Sequence, residues 1–319
     1  MIFEFTKPNG EKVTKYNPAY VYISCQLSTP ADSLTAVFIG EDYNDYKCVR
    51  VIYEDKVIFT GVVDEVKTTV NEDGLSHTYR CRSLAGCLLD TQLMPQNIQN
   101  INDTAIYHRY LKPYGITIKN LTGKPLKALV NISKGQSVYS LLNYFCGKLY
   151  NTQPRINQYG EAVLNGEINS SSFVFTNGCN NLESNCYSCT EIQVENKRYG
   201  VISRVYVRNT LNGSYGLTVK NKSAIEQDID AVRYLDAEPS SGNCIYDADR
   251  IIENSNKASL AIKCKCPCFV FNPLGGEAKV VVNSKEYSNL EINSVSYMYS
   301  KNGVVTTITM NRKGQLNAG

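Results

Sequence analysis

The sequence has no tryptophan, two histidines (His77 and His108) and four methionines in 319 residues. Two histidines leave little material for His-based acid–base catalysis or for a His-rich metal site. Gly-x-Ser-x-Gly, a glycine-rich phosphate loop with lysine, and His-Glu-x-x-His are all missing, which removes the common hydrolase, nucleotide and metalloprotease signatures. No apolar run approaches the ~20 residues of a membrane-spanning helix. The first eight residues, Met1 to Pro8, hold no basic segment leading into an apolar stretch. The expectation is a chain made in a reducing cytoplasm, with no membrane partner. Excess charge is also missing: 33 Lys+Arg against 30 Asp+Glu leave a net charge of +3. A pI near 8.1 is too weak a bias for nucleic acid as the main partner. With 43% hydrophobic and 20% charged residues, the chain has ample material for a core.

What is abundant is cysteine (12) and tyrosine (23). Disulfide scaffolds are usually short and secreted, so these cysteines read as small buried hydrophobes. Two clusters are candidates for metal ligation. Cys179, Cys186 and Cys189 lie in a Gly/Asn/Ser-rich stretch, and Cys264, Cys266 and Cys268 alternate with lysine and proline. Six thiols are enough for zinc or an iron–sulfur centre. In the second cluster, however, Leu260, Ile262, Cys264, Cys266, Cys268 and Val270 share one face of a period-2 strand, the pattern of a core-facing strand. The expectation is no cofactor, with Cys179, Cys186 and Cys189 the candidate metal ligands. Neighbouring carboxylates, Glu41/Asp42 and Asp228/Asp230, read as solvated turns and faces. Lys67, Arg80, Arg82, Arg204 and Arg208 fall in strands, facing solvent, a neighbour or a channel. Tyrosine suits protein–protein contact, giving area with a polar tip, and suits β-strands equally.

Alternation of apolar residues marks residues 1–95 as β. A turn at Asp55-Lys56 and another at Asn71-Glu72-Asp73-Gly74 delimit a hairpin that returns through Ser76 to Arg82. Residues 96–166 change character. Asp103 is placed to cap a short helix through Tyr110. Lys134 to Tyr150 carries Val138, Leu141, Leu142, Phe145, Cys146 and Leu149 on one apolar stripe. From 167 to 319 β returns, with turns at Asn212-Gly213 and Asn302-Gly303 and one helix near Asp247 to Ser259. The expected organisation is mainly β with an α+β insert: a first β module (1–95), a small α+β domain (96–166) and a second β module with one helix (167–319), parts of which interleave with the first.

Two hairpins echo one another 229 positions apart. Val62 to Arg82 carries Val66, Gly74, Thr78 and Cys81 where Glu291 to Asn311 carries Val295, Gly303, Thr307 and Met310. Each follows a β-rich run with its own turn, Val49 to Phe59 and Lys279 to Tyr287. Any two hairpins with x-Asx-Gly turns look somewhat alike; the alternative is a duplicated β module, one copy at each end.

An ordered series of motifs resembles the baseplate hub proteins of contractile phage tails, the Mu-type hub or late-control gene D group, with related folds in the T4 hub and the N-terminal part of type VI secretion spike proteins. Phe59-Thr60-Gly61-Val62-Val63-Asp64 is similar to that family's hairpin motif. Tyr79-Arg80-Cys81-Arg82-Ser83 through Asp90 is similar to its Gly-Arg-Ser…Leu-hydrophobic-Asp segment, with Cys81 in place of glycine. Pro113-Tyr114-Gly115-Ile116, Gly135-Gln136-Ser137 before Leu141-Leu142, and Tyr159-Gly160-Glu161 follow in the family's order.

The resemblance implies a structural protein and no enzyme. It implies a homotrimer with two tube-like β-barrel modules per chain, which form a pseudo-six-fold ring that joins a six-fold tail tube to a three-fold central spike around a channel. The implied partners are spike, tail tube or tube initiator, tape measure and baseplate wedge proteins, with DNA only in transit. The implied place is the baseplate of a virion or of a phage tail-like bacteriocin, assembled in the host cytoplasm. The alternatives are the tail-tip hub of a non-contractile tail, a cell-wall-degrading or carbohydrate-binding tail module, and a zinc or iron–sulfur protein.

Overall fold

A computed structural model describes residues 1–40, 45–72, 74–166, 168–178, 185–208, 213–236 and 244–313, with the side chains of 244–247 outside the description. The fold is mainly β, as the alternation predicts. The chain divides into two compact units: Met1–Ser171 with Cys266–Gly276 and Ser294–Thr307, and Ser172–Lys265 with Glu277–Asn293 and Ile308–Gly319.

The first unit opens with seven strands: β1 (Ile2–Thr6), β2 (Lys12–Tyr16), β3 (Tyr20–Gln26), β4 (Ser33–Ile39), β5 (Cys48–Tyr53), β6 (Lys56–Asn71) and β7 (Gly74–Ser83). They pair in the order β2-β1-β5-β6-β7-β4-β3. Alternation places Phe3, Phe5, Phe38 and Tyr79 on one face, each at most 1% exposed. Phe5 stacks on Tyr46 at 4.4 Å and Phe3 meets Phe38 edge-on at 5.2 Å. The ammonium of the buried Lys15 lies 5.4 Å from the Phe38 ring centre, a cation–π contact at the rim of this core.

A second hydrophobic cluster of the same unit is built from the α+β segment. Its main helix is Val138–Tyr150 and buries Val138, Leu141, Leu142, Phe145 and Cys146, the stripe read from the sequence. It starts four residues later than Lys134 because Ser137 is the cap: its hydroxyl accepts from the Ser140 amide at 3.2 Å. Asp103 is not a cap either. Asn102 caps that short helix by accepting from the Ala105 amide, and the buried Asp103 carboxylate instead accepts from the amides of Thr122 and Gly123 at 2.6 and 2.9 Å.

In the second unit Ser172–Thr176 pairs in parallel with both Cys186–Ser188 and Glu277–Val282. Glu191–Asn196 pairs with Leu260–Cys266, Ile192 facing Cys264. A separate three-stranded sheet, Arg204–Val207 between Leu217–Lys220 and Val232–Leu235, packs Val205 and Val207 against Ala248 and Ile252 of the helix Cys244–Ala258. That helix meets the expectation near Asp247 to Ser259. The Asn212-Gly213 turn has its first residue outside the described residues, as has the Asn71–Gly74 turn its Asp73.

The echo extends beyond the hairpins. Strands of 6, 16 and 10 residues, Cys48–Tyr53, Lys56–Asn71 and Gly74–Ser83, recur with identical lengths as Glu277–Val282, Lys285–Ser300 and Gly303–Arg312. The shift is constant at 229 positions (48 to 277, 56 to 285, 74 to 303). The tight turns repeat too: Glu54 and Asp55 have φ of 49° and 59°, and Asn283 and Ser284 have φ of 46° and 69°. Strand order repeats with them: Cys186–Ser188, Ser172–Thr176, Glu277–Val282, Lys285–Ser300, Gly303–Arg312, Leu260–Cys266, Glu191–Asn196 matches β2-β1-β5-β6-β7-β4-β3. The outer pairings differ in sense, since β1 is antiparallel to β5 and β2 whereas Ser172–Thr176 runs parallel to both of its neighbours. Among the described residues neither set closes on itself.

Candidate assembly site

The Phe-Thr-Gly motif is where the β scaffold of the first unit grips its α+β segment. Phe59 is 2% exposed in the core. Thr60 turns its hydroxyl outward and donates to the Gln158 carbonyl at 2.7 Å, in the turn before Gly160. Gly61 sits where a Cβ would stand 2.1 Å from the Arg82 carbonyl oxygen, so only glycine fits there. Each residue of the motif therefore has a separate packing role.

Beside it, the register of β6 and β7 shifts between Val63 and Glu65, which leaves Asp64 as the extra residue of a bulge. The bulge aims Asp64 at Arg82, whose guanidinium donates to both carboxylate oxygens at 2.8 and 2.9 Å and also reaches Asp90 at 2.6 Å. This fork-on-carboxylate geometry raises the Arg82 pKa and holds Asp90 below the ordinary carboxylate range. Arg82 thus ties the hairpin to the helix Ala85–Asp90, which explains the Arg-Ser…Leu-Asp segment.

Deeper in the same unit, Arg155 donates to Asp32 at 2.5 Å and to the Gln26 carbonyl at 2.9 Å. Burial pushes the Asp32 carboxyl up, and the adjacent guanidinium opposes that rise. Cys25 lies against the pair, its thiol pushed well up by burial and then by the Asp32 charge. These groups border a cavity of about 150 Å³ with Lys56, Tyr159, Glu161 and Phe271 on its wall. Small-molecule sites are commonly ~300–1,000 Å³, so this space reads as a packing gap around an ion pair. The pair joins residues 123 positions apart. No motif in the sequence announces it; the only hint is an arginine at the start of a short strand, Arg155–Ile156, in an otherwise apolar pattern.

Of the candidate metal ligands, Cys179 lies outside the described residues. Cys186 opens the short strand Cys186–Ser188 and Cys189 follows it; Cys189 is brought to Cys264, whose thiol is pushed up by their mutual hydrogen bond and by burial. No group of three or more His, Cys, Asp or Glu with metal-binding geometry occurs among the described residues. The strand pattern read for the second cluster holds as far as Cys266: Leu260, Ile262, Cys264 and Cys266 are all buried, but the strand ends there, and Cys268 is half-buried in the bend that follows. The strand cations have separate fates. Arg80 pairs with Glu65 at 2.9 Å, Arg204 with Asp230, and Arg208 with Asp236 at 3.9 Å, while Lys67 is exposed. Glu41 and Asp42 lie outside the described residues. His77 is 1% exposed, with Nδ1 2.9 Å from the Thr68 hydroxyl, and His108 stacks edge-on against Tyr107. A broad groove of about 1040 Å³ in the second unit is lined by Lys220, Lys257, Arg312 and Lys313 with Glu253, which pairs with Lys257 at 3.1 Å. It is a solvated, ion-paired surface.

No family model and no curated protein matches the chain. Solved structures do. A 43 kDa tail protein of prophage MuSo2 from Shewanella oneidensis is 13% identical with a TM-score of 0.75, over 97% of this chain and 98% of that one. A tail protein from Neisseria meningitidis is 13% identical with a TM-score of 0.72, over 97% and 96%. The chain has a phage tail-protein fold. That fold extends to an Escherichia coli component of the type VI secretion system, itself structurally similar to the T4 bacteriophage tail proteins gp27 and gp5: 9% identity, TM-score 0.53, over 94% of this chain and 74% of that one. The motif series read from the sequence resembles proteins of this same tail-protein fold.

Proposed function

We propose that the protein is a structural hub of a phage baseplate, a homotrimer that adapts a six-fold tail tube to a three-fold spike around a central channel. The observation that carries the reading is the constant shift of 229 positions over three strands and their turns. One chain with two quasi-equivalent β modules presents six modules as a trimer, which is what a three-fold assembly needs to meet a hexameric ring. On this reading residues 1–95 and 167–319 supply the modules and 96–166 braces them. The tail-protein fold of the neighbours supports the place of action, a virion tail or a bacteriocin of tail origin, and with it a structural rather than a catalytic role. The partners are then tube, spike, tape measure and wedge proteins.

The test is mass photometry of the full chain alone and mixed with tube and spike proteins from the same genome, followed by single-particle imaging. A three-fold species with six similar β lobes is expected. A chain that stays monomeric alone and fails to order around either partner would overturn the proposal.

A further inference from the structure

The tip of the second hairpin is covered and the tip of the first is not. Residues 294–299 of the strand Lys285–Ser300 pair antiparallel with β3, Val295 opposite Cys25, Tyr297 opposite Ile23 and Tyr299 opposite Val21. The positions equivalent by the 229 shift are 65–70 of β6. There β6 pairs with β7 on one side, while its pairing with β5 ends at Val62 on the other. Among the described residues nothing pairs with that outer edge. The two-residue connection makes Asn71 and Gly74 the hydrogen-bonded pair of the hairpin, so the amides and carbonyls of Val66, Thr68 and Val70 point away from β7. Burial follows the same contrast. Val295 is 1% and Tyr297 7% exposed, whereas their equivalents Val66 and Thr68 are half-buried and exposed, and Val70 beyond them is 75% exposed.

A matching edge exists in the second unit. Glu191–Asn196 stands where β3 stands in the repeated strand order, and among the described residues it pairs only with Leu260–Cys266. We propose that the outer edge of β6 pairs antiparallel with Glu191–Asn196 of a second copy of this chain, repeating between copies the contact that Lys285–Ser300 makes with β3 within one. The proposal rests on the two-module hub reading and adds to it the strands and the register. Aligning Tyr20 with Glu191 and carrying the observed register across sets Val70 opposite Ile192 and Thr68 opposite Val194 on one face. On the other face it sets Glu65 opposite Lys197 and Lys67 opposite Glu195. Val70 meets Ile192, β-branched Thr68 meets β-branched Val194, and each charge meets its opposite, which is what a paired edge selects. A one-residue slip would turn the apolar side chains to the wrong face. Three such contacts in a trimer leave neither edge open.

The experiment places the photo-crosslinking residue p-benzoylphenylalanine at Val70 of the full chain and mixes isotope-labelled with unlabelled copies. Crosslinks from Val70 to residues 191–197 of a different copy are expected. Lys67→Glu or Glu195→Lys alone should weaken assembly about fivefold per interface, and the two together should restore it. Val70→Pro removes one outward amide and should abolish assembly while leaving the melting temperature of the dissociated chain unchanged. A trimer whose crosslinks map elsewhere and which ignores the charge reversals overturns the edge pairing but leaves the hub reading standing. A chain that stays monomeric with tube and spike present overturns both.

Discussion

Arg155 Nη2 lies 2.5 Å from Asp32 Oδ1, and both side chains are 7% exposed. Arg155→Met would leave Asp32 buried without its cation. Removing one partner of a buried pair typically costs about 3–5 kcal/mol. The pH dependence has a definite sign. The Asp32 carboxyl is already raised above its ordinary 3.8 by burial, and Arg155 is what restrains it. A carboxyl raised on folding contributes its full stability below the unfolded value and loses it as pH rises. Without Arg155 the rise is larger, so the deficit of the variant grows from about pH 4 towards neutrality. Urea unfolding of both proteins at pH 4.5 and 7.5 checks this; a deficit equal at both pH values would mean that Asp32 is not the group exposed by the change.

Gly61→Ala is expected to be among the most damaging single-methyl additions in the chain. The new Cβ would stand 2.1 Å from the Arg82 carbonyl, and neither backbone can retreat without breaking the β6–β7 ladder. Overpacking of this kind costs about 3 kcal/mol or more. Gly74→Ala is the control, because its φ of 107° is strained for alanine but nothing lies within 4 Å. A cost of about 1–2 kcal/mol is expected there. Thermal melts of the two variants, read against the parent, give the ranking directly.

What was legible in the sequence is what periodicity and turn chemistry encode. The alternation around Phe3 and Phe5, the helical stripe from Val138 to Cys146, and the shared spacing of Gly74 and Gly303 each report a local rule. Thr60 with Gln158 and Asp32 with Arg155 span 98 and 123 positions, the pairing of Tyr299 with Val21 spans more still, and none obeys a local rule. Asp103 misled for a physical reason. A carboxylate at a helix start suits the cap, but here the loop at Thr122 and Gly123 supplies better donors and Asn102 takes the cap. Cys189 meets the thiol of Cys264, 75 positions away, a contact that no local pattern encodes.

Three of the thiols, Cys25, Cys81 and Cys146, should be inert in the native chain. Burial pushes Cys146 up to about 12, and it raises Cys25 and Cys81 as well. Because the thiolate is the nucleophile, each is almost wholly protonated at pH 8. Brief iodoacetamide treatment of native protein at pH 8, read by peptide mass spectrometry, should leave these three unmodified, whereas protein in denaturant should be labelled at all 12 cysteines. Native labelling at Cys146 would show that the helix Val138–Tyr150 lifts from its core on the timescale of the reaction.

The duplicated hairpins allow one substitution to be made twice in equivalent places. Val66 and Val295 occupy the same position of the repeat, yet Val295 is 1% exposed with β3 paired beside it whereas Val66 is half-buried on an edge with one neighbouring strand. Val295→Ala removes methyls from a packed site and should cost about 2 kcal/mol. Val66→Ala should cost less than about 1 kcal/mol, since much of its surface already meets water. Equal losses in the dissociated chain would mean that the tips are covered alike, and the contrast that distinguishes them would disappear. In the assembled state the inequality should narrow, because a strand laid along β6 buries Val66 as β3 buries Val295. Comparing the two variants before and after assembly therefore separates what the fold of one chain stabilises from what only a neighbour can.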